Sequence, residues 1–317
     1  MVRFENAPWI CPVCGEKLNI SGNSFVCRNR HCYDVAKSGY VNLLPTSGKG
    51  NHGDDKLMVK ARTDFLNRGF YEPLAKRLAE LVCEFLAGTA DSKYGCEGKP
   101  DMPGESRASE KSEKSGENRR LVIDAGCGEG YYTGIIADAV RSEQAKMSAY
   151  ENTCAEKTSV VGLDISKEAV NAAARHTEGV FLAVAGTSAM PLPDSCAEVL
   201  LNVFSPLFPE EFGRVLRPGG RLIRVVPGER HLWQLKELVY DEAYENPPPQ
   251  PEIPGFETIM TERLEYNISL PDSDSIRQLF MMTPYYYKTG EKDQRKLLDA
   301  DSLTTRVEFE IIVYSRV

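Results

Sequence analysis

Residues Leu121–Tyr132 read LVIDAGCGEGYY. The apolar run Leu121-Val122-Ile123 has the length and character of a buried strand. It closes on Asp124 and breaks into Gly126-Cys127-Gly128-Glu129-Gly130, after which Tyr132 to Val140 carry helical spacing. Strand, glycine turn and helix in that order form the ligand-binding corner of a doubly wound α/β sheet. Glycine is needed where the backbone turns sharply and a ligand approaches without Cβ atoms in the way. The glycines run G-x-G-x-G, and Tyr131 stands where the dinucleotide pattern G-x-G-x-x-G has its last glycine. Asp124 and Glu129 would repel phosphates but suit a ligand bearing an amino group and a sulfonium. The corner formed by Asp124, Gly126, Gly128 and Glu129 therefore points to S-adenosylmethionine rather than NAD or ATP.

Downstream the pattern repeats. Ser159–Leu163 is a strand ending at Asp164, an acid at the same sheet edge that can accept both ribose hydroxyls of an adenosyl ligand. A helix over 167–175 follows, with Ser166 able to cap it. Val180–Val184 is a third strand, Ala197–Val203 a fourth and Arg221–Val226 a fifth. Pro227-Gly228-Glu229-Arg230-His231 then opens a helix, Leu232–Tyr240. Glu257–Leu270 and Thr305–Tyr314 alternate as a final antiparallel pair around a helix, Ser273–Met282. The expectation is a mostly parallel seven-stranded sheet of the class I methyltransferase type. Two helices upstream, Leu57–Leu66 and one from Tyr71 to about Leu86 with Pro73 in its first turn, could form a lid. Residues 88–120 are polar and poor in large apolar groups, and read as a flexible insertion. A smaller polar insertion is expected at about 141–158, and Pro247–Pro254 is a proline-rich link.

The N-terminus has a different chemistry. Four of the nine cysteines fall in the first 32 residues, which favours metal over disulfides. Cys11-x2-Cys14 is a knuckle, and Cys27-x3-His31 lets a second pair converge, with Cys32 as the alternative fourth ligand. Lys17–Ile20 and Ser24–Val26 look like short strands between the pairs. A closed tetrahedral zinc site would fold a segment too small for its own core. The expected division is a zinc-binding, RNA-recognition module over 1–46 and a methyltransferase domain over 47–317. Residues 1–62 hold nine basic and five acidic side chains, net +4, on a chain of net charge −8. That asymmetry suits a module facing a polyanion. No run reaches the roughly 18–20 apolar residues of a membrane span, and the first residues lack a signal peptide's apolar core, so a cytoplasmic protein is expected.

Apart from the two insertions, the chain resembles the large-subunit (23S) ribosomal RNA guanine-N1-methyltransferases, the family of the tylosin-resistance enzymes. The resemblance rests on the Cys11–Cys14–Cys27–His31 module, AKSGYVNLLP (Ala36–Pro45), GFYEPL (Gly69–Leu74) and DAGCGEGYYT (Asp124–Thr133). GLDISK, RVLRPGG, PGERHLWQLK and MTPYYY add to it. It implies structural zinc on Cys11, Cys14, Cys27 and His31, and S-adenosylmethionine touching Tyr71, Gly128, Glu129, Asp164 and His231. It implies a 23S rRNA hairpin as substrate, a homodimer, and a bearing on macrolide resistance in some members. Methyltransferases of this shape often carry an acid after the third strand. Here Gly186 and Thr187 stand there, so adenine would be read by backbone. No residue is singled out as general base. Asn202–Pro206 and Tyr285–Tyr287 lie where a base could stack. The rival readings are a methyltransferase for a small molecule or another RNA, and a non-catalytic sensor of S-adenosylmethionine.

Overall fold

The computed structural model describes residues 4–45, 53–88, 120–151, 157–249 and 252–317. The expected insertion at 88–120 lies outside the described residues apart from its ends, as does the centre of the proline-rich link.

The N-terminal segment is a three-stranded antiparallel sheet of β1 (Asn19–Ser21), β2 (Ser24–Val26) and β3 (Cys32–Asp34). β4 (Tyr40–Asn42) leaves this ribbon and runs parallel to β7 (Val180–Val184), adding an edge strand to the main sheet. The main sheet thus has eight strands rather than the expected seven. Three-residue β4 carries too little periodicity to read as a strand by itself. The other members are β5 (Arg120–Ala125), β6 (Thr158–Asp164), β8 (Ala197–Val203), β9 (Leu216–Pro227), β10 (Phe256–Leu270) and β11 (Leu303–Arg316). Their order is β10-β11-β9-β8-β5-β6-β7-β4. β11 is antiparallel to both β9 and β10, and the remaining pairs are parallel.

The helices follow from local signals. Asp55 caps α1 (Lys56–Leu66) by accepting from the Leu57 and Met58 amides, and Pro73 sits in the first turn of α2 (Glu72–Leu86). α3 (Tyr131–Glu151) runs well past Val140, so the residues expected to open a second insertion continue the helix instead. That stretch, Arg141-Ser142-Glu143-Gln144-Ala145-Lys146, consists largely of good helix formers, and polarity by itself does not end a helix. Ser166 caps α4 (Lys167–His176) through the Ala169 amide. α5 (Pro209–Val215), α6 (Trp233–Val239) and α7 (Ser273–Met281) follow, with two short helices after them, α8 (Tyr285–Lys288) and α9 (Glu291–Arg295).

Two apolar layers cover the sheet. On one face Leu74, Leu78, Ile136, Leu235 and Leu279 from the helices pack against Val122, Val199 and Ile223. On the other, Trp9, Leu18 and Phe25 of the N-terminal segment join Ile123, Leu163, Leu200 and Phe212 in one continuous cluster. The small ribbon has no core of its own and borrows that of the large sheet. No helix among the described residues is long and apolar enough to cross a membrane.

Candidate cofactor cavity and metal cluster

Cys11, Cys14, Cys27 and His31 offer ligand atoms that all lie within 4.8 Å of one another. Cys14 Sγ is 3.7 Å from Cys27 Sγ, and His31 Nδ1 is 3.4 Å from both Cys11 Sγ and Cys27 Sγ. A tetrahedron with Zn–S near 2.3 Å and Zn–N near 2.0 Å has edges of about 3.5–3.8 Å, so the four donors fit zinc. Cys32 is exposed on β3 and outside this group, so His31 is the fourth member. The Tyr33 hydroxyl lies 3.3 Å from Cys11 Sγ, positioned to donate to a metal-bound thiolate.

The second site is a cavity of about 770 Å³ at the C-terminal ends of the parallel strands. Strand order separates its two sides. The β6 side is lined by Asp54, Arg62, Gly128, Glu129, Asp164 and Ile165. The β9 side is lined by Tyr71, Pro227, His231, Tyr244, Asn246 and Tyr285. β8 and β5 lie between, so the sides stand about 14 Å apart at the usual strand spacing. Phe204, Ser205 and Pro206 close the centre.

The glycine turn is tight for a physical reason. Gly126 has φ +92°, and a Cβ there would lie 2.6 Å from Ser205 Cβ. Gly130, at φ +88°, would drive a Cβ to 2.9 Å from Ala173 Cβ, so the third glycine serves helix packing. Asp164 accepts from the Ser166 and Gly128 amides at 2.8 and 3.0 Å, which fixes its carboxylate at the cavity wall. Burial raises its pKa against the pull of these bonds. Glu129 is buried, accepts from the Thr63 hydroxyl at 3.3 Å through Oε2, and keeps Oε1 without a partner. Its pKa is also raised by burial, against the opposing influence of Thr63, His176 and Arg62.

Asp124 lies beneath the turn rather than on the cavity wall. Thr133 donates to its Oδ2 at 2.6 Å, Oδ1 has no partner, and burial pushes the pKa up to about 6. His231 is buried on the β9 side, and its Nδ1 accepts from the Glu308 amide at 3.1 Å. That bond leaves the proton on Nε2, and burial pushes the imidazole pKa down to about 3, so the ring is neutral. Tyr71 is buried edge-on against Phe65 and Phe309, with its ring centre 6.4 Å from that of His231. Unpartnered buried carboxylate oxygens beside a turn that admits no side chain fit a cationic, amino-bearing ligand.

Tyr71, Gly126, Gly128, Glu129, Asp164 and His231 therefore share one cavity, while Gly186 and Thr187 follow β7 without lining it. Several cavity residues were not evident in the sequence. Arg62 reaches over Gly128 from α1 and pairs with Asp54 at 2.5 Å, and Asp54 in turn accepts from Ser166 Oγ at 2.7 Å through its carbonyl. A basic residue on an otherwise amphipathic helix reads as solvent-facing, and only the fold turns it inward. Asn246 and Lys288 sit in stretches without periodicity. Phe204 and Leu232, non-glycine residues at φ +52° and +58°, hold the cavity wall in the left-handed region, a conformation that costs about 1–2 kcal/mol for an L-residue.

Fold and sites together define a class I methyltransferase joined to an N-terminal zinc ribbon. Two family models match accordingly, a zinc ribbon described as "RlmA, N-terminal" over residues 9–52 and a "Methyltransferase domain" over 117–268. The 23S rRNA (guanine(748)-N(1))-methyltransferase of Streptomyces fradiae is 33% identical over 86% of this chain and 84% of its own. A Micromonospora griseorubida protein is 34% identical over 71% and 67%. A Bacillus subtilis (strain 168) protein is 26% identical over 96% and 95%, and both are provisionally named 23S rRNA (guanine-N(1)-)-methyltransferases. The chain belongs to this 23S rRNA guanine-N1-methyltransferase family.

Proposed function

We propose that this protein transfers a methyl group from S-adenosylmethionine to N1 of a guanine in a hairpin loop of 23S rRNA. The observation that carries the reading is one cavity with an acidic, glycine-lined side and an aromatic side, in a chain related along most of its length to enzymes of that name. S-adenosylmethionine supplies an activated methyl on sulfur, so positioning dominates catalysis. In this reading Glu129, with Asp124 behind the turn, attracts the amino group and offsets the positive charge. Asp164 takes the ribose hydroxyls with its remaining lone pairs. Gly126 and Gly128 admit the ligand to the backbone, whereas Gly186 and Thr187, which do not line the cavity, take no part in this reading. Tyr71 and the neutral His231 flank the reacting centre. The zinc held by Cys11, Cys14, Cys27 and His31 shapes the ribbon that meets the RNA, and a homodimer would join two such surfaces.

The test is transfer of labelled methyl to unmodified large-subunit rRNA, followed by primer extension. N1-methylguanine blocks base pairing, so one strong stop within one hairpin is expected. Label without a stop would indicate a different atom. Label on free nucleoside in preference to rRNA would replace the RNA reading with a small-molecule one.

A further inference from the structure

Lys236 of α6 is 1% exposed and lies directly behind the β9 side of the cavity. Its Nζ donates to the Tyr244 carbonyl and to Asn246 Oδ1, both at 2.8 Å. The same nitrogen stands 4.6 Å from the Tyr244 ring centre and 5.2 Å from that of Tyr285. The Tyr285 hydroxyl donates to the same Asn246 Oδ1 at 3.1 Å, and Asn246 Nδ2 donates to the Gly228 carbonyl at 2.7 Å. Tyr244, Asn246 and Tyr285 all line the cavity. Among the described residues no carboxylate stands within ion-pair distance of Lys236. Burial lowers its pKa, and Glu245 acts in the opposite direction from longer range. A buried ammonium without a counter-ion is costly, and two acceptors with two aromatic faces offset that cost only in part.

The acceptor chemistry gives this charge a use. Guanine N1 carries a proton, which must leave before its lone pair can take a methyl. Among the described residues, the β9 side of the cavity holds no side chain suited to remove it. His231 Nδ1 is engaged by the Glu308 amide and its ring is neutral. Burial pushes the Tyr285 and Tyr244 phenols up, which keeps them protonated. Glu129 and Asp164 lie on the β6 side, beside the expected cofactor.

We propose that Lys236 is a positioning and electrostatic residue for methylation of guanine N1. It holds the Tyr244–Asn246–Tyr285 wall against which the base stacks, and it favours the N1-deprotonated form of that base. The inference rests on the guanine-N1 reading above. The base gives its N1 proton to solvent water in a prior equilibrium. The N1 lone pair then bonds to the methyl carbon while the carbon–sulfur bond breaks and its electron pair stays on sulfur. The base anion and the sulfonium are both neutralised in that step. A cation close behind the base, screened by little water, draws the first equilibrium forward. Lys288, exposed at the mouth, is screened far more. The groups around Lys236 are Tyr240 just past the end of its helix and packed on Tyr285, Tyr244 and Glu245 further on, Tyr285 across the cavity wall, and His231 before it.

The experiment is single-turnover methyl transfer to unmodified large-subunit rRNA at saturating S-adenosylmethionine, across pH 6 to 9.5 in steps of about 0.5. Lys236→Met should be at least about tenfold slower at neutral pH, with its pH–rate profile displaced to the alkaline side by about one unit. Its affinity for S-adenosylmethionine should be unchanged, and Lys236→Arg should keep the wild-type profile. A uniform loss at every pH with the profile in place, or no loss, overturns the proposal. Should the Met variant not fold, the wild-type profile decides. Its apparent pKa must lie below that of N1 in the free RNA, and an equal or higher value overturns the proposal. A wild-type enzyme that methylates some other atom overturns the underlying reading, and is recognised before any variant is made.

Discussion

Asp124 concentrates the conflict between stability and function in two oxygen atoms. One is bonded by Thr133, and the other is buried without a partner under the glycine turn. Burial raises its pKa from 3.8 to about 6, so the folded state favours the protonated form. The associated stability is fully present below the unfolded pKa and is lost as pH rises through about 6. That shift corresponds to roughly 3 kcal/mol. Asp124→Asn cannot titrate, so its stability relative to wild type should improve by up to about 3 kcal/mol between pH 4 and pH 7. Denaturant unfolding at both values checks this, and a difference that does not move with pH contradicts it. The same substitution should weaken S-adenosylmethionine binding, because a carboxylate is what an ammonium selects. At Asp164, replacement by Ala should raise the Kd for S-adenosylmethionine about ten- to hundredfold by removing charge-assisted acceptors. Isothermal titration at pH 7 measures it.

The zinc ribbon and the sheet cannot be energetically separate elements. Trp9, Leu18 and Phe25 are all but fully buried, and they are buried against residues of the large sheet. β4 extends the ribbon's chain into the sheet edge. Loss of metal should therefore propagate. Cys14→Ser is expected to lower the melting temperature of the whole chain by on the order of 10 °C, in a single transition. Cys32→Ser, at an exposed position outside the cluster, should leave melting and zinc content unchanged. Calorimetry with metal analysis tests both, and a separate early transition for the ribbon would contradict the shared core. What the sequence disclosed at this scale followed periodicity and motif. The strands at 180–184 and 197–203 stand where their apolar runs predict, and the cysteine spacing brought four ligands together. β4 was invisible because three residues carry no period, and the extension of α3 because a polar helix resembles a polar loop. Arg62, Asn246 and Lys236 were illegible for another reason. Their environment is set by β-strand order and by a link without regular structure, which residue spacing does not encode.

The molecule as a whole carries opposite charges at its two jobs. Its net charge is −8, yet its first 62 residues are net positive by four. In the ribbon Lys17, Arg30 and Lys37 are exposed and make no ion pair among the described residues, whereas Arg28 is paired with Glu16 at 2.8 Å. The acidic side chains proposed to meet the cationic cofactor lie instead around the sheet's carboxyl edge. An RNA backbone approaching the ribbon would meet unpaired cations, while the acidic cofactor end of the cavity would repel phosphate and leave entry to an extruded base. This division predicts separable effects. Reversing Lys17, Arg30 and Lys37 to Glu should weaken rRNA binding by at least about tenfold at 0.15 M salt, and flatten the dependence of log Kd on log salt by up to about three. Affinity for S-adenosylmethionine should be unchanged, since none of the three lines the cavity. Filter binding over a salt series measures the first effect and calorimetry the second. An unchanged salt slope would mean that RNA docks on a different face. A loss confined to catalysis, with RNA binding intact, would mean that the ribbon orients the substrate rather than holding it.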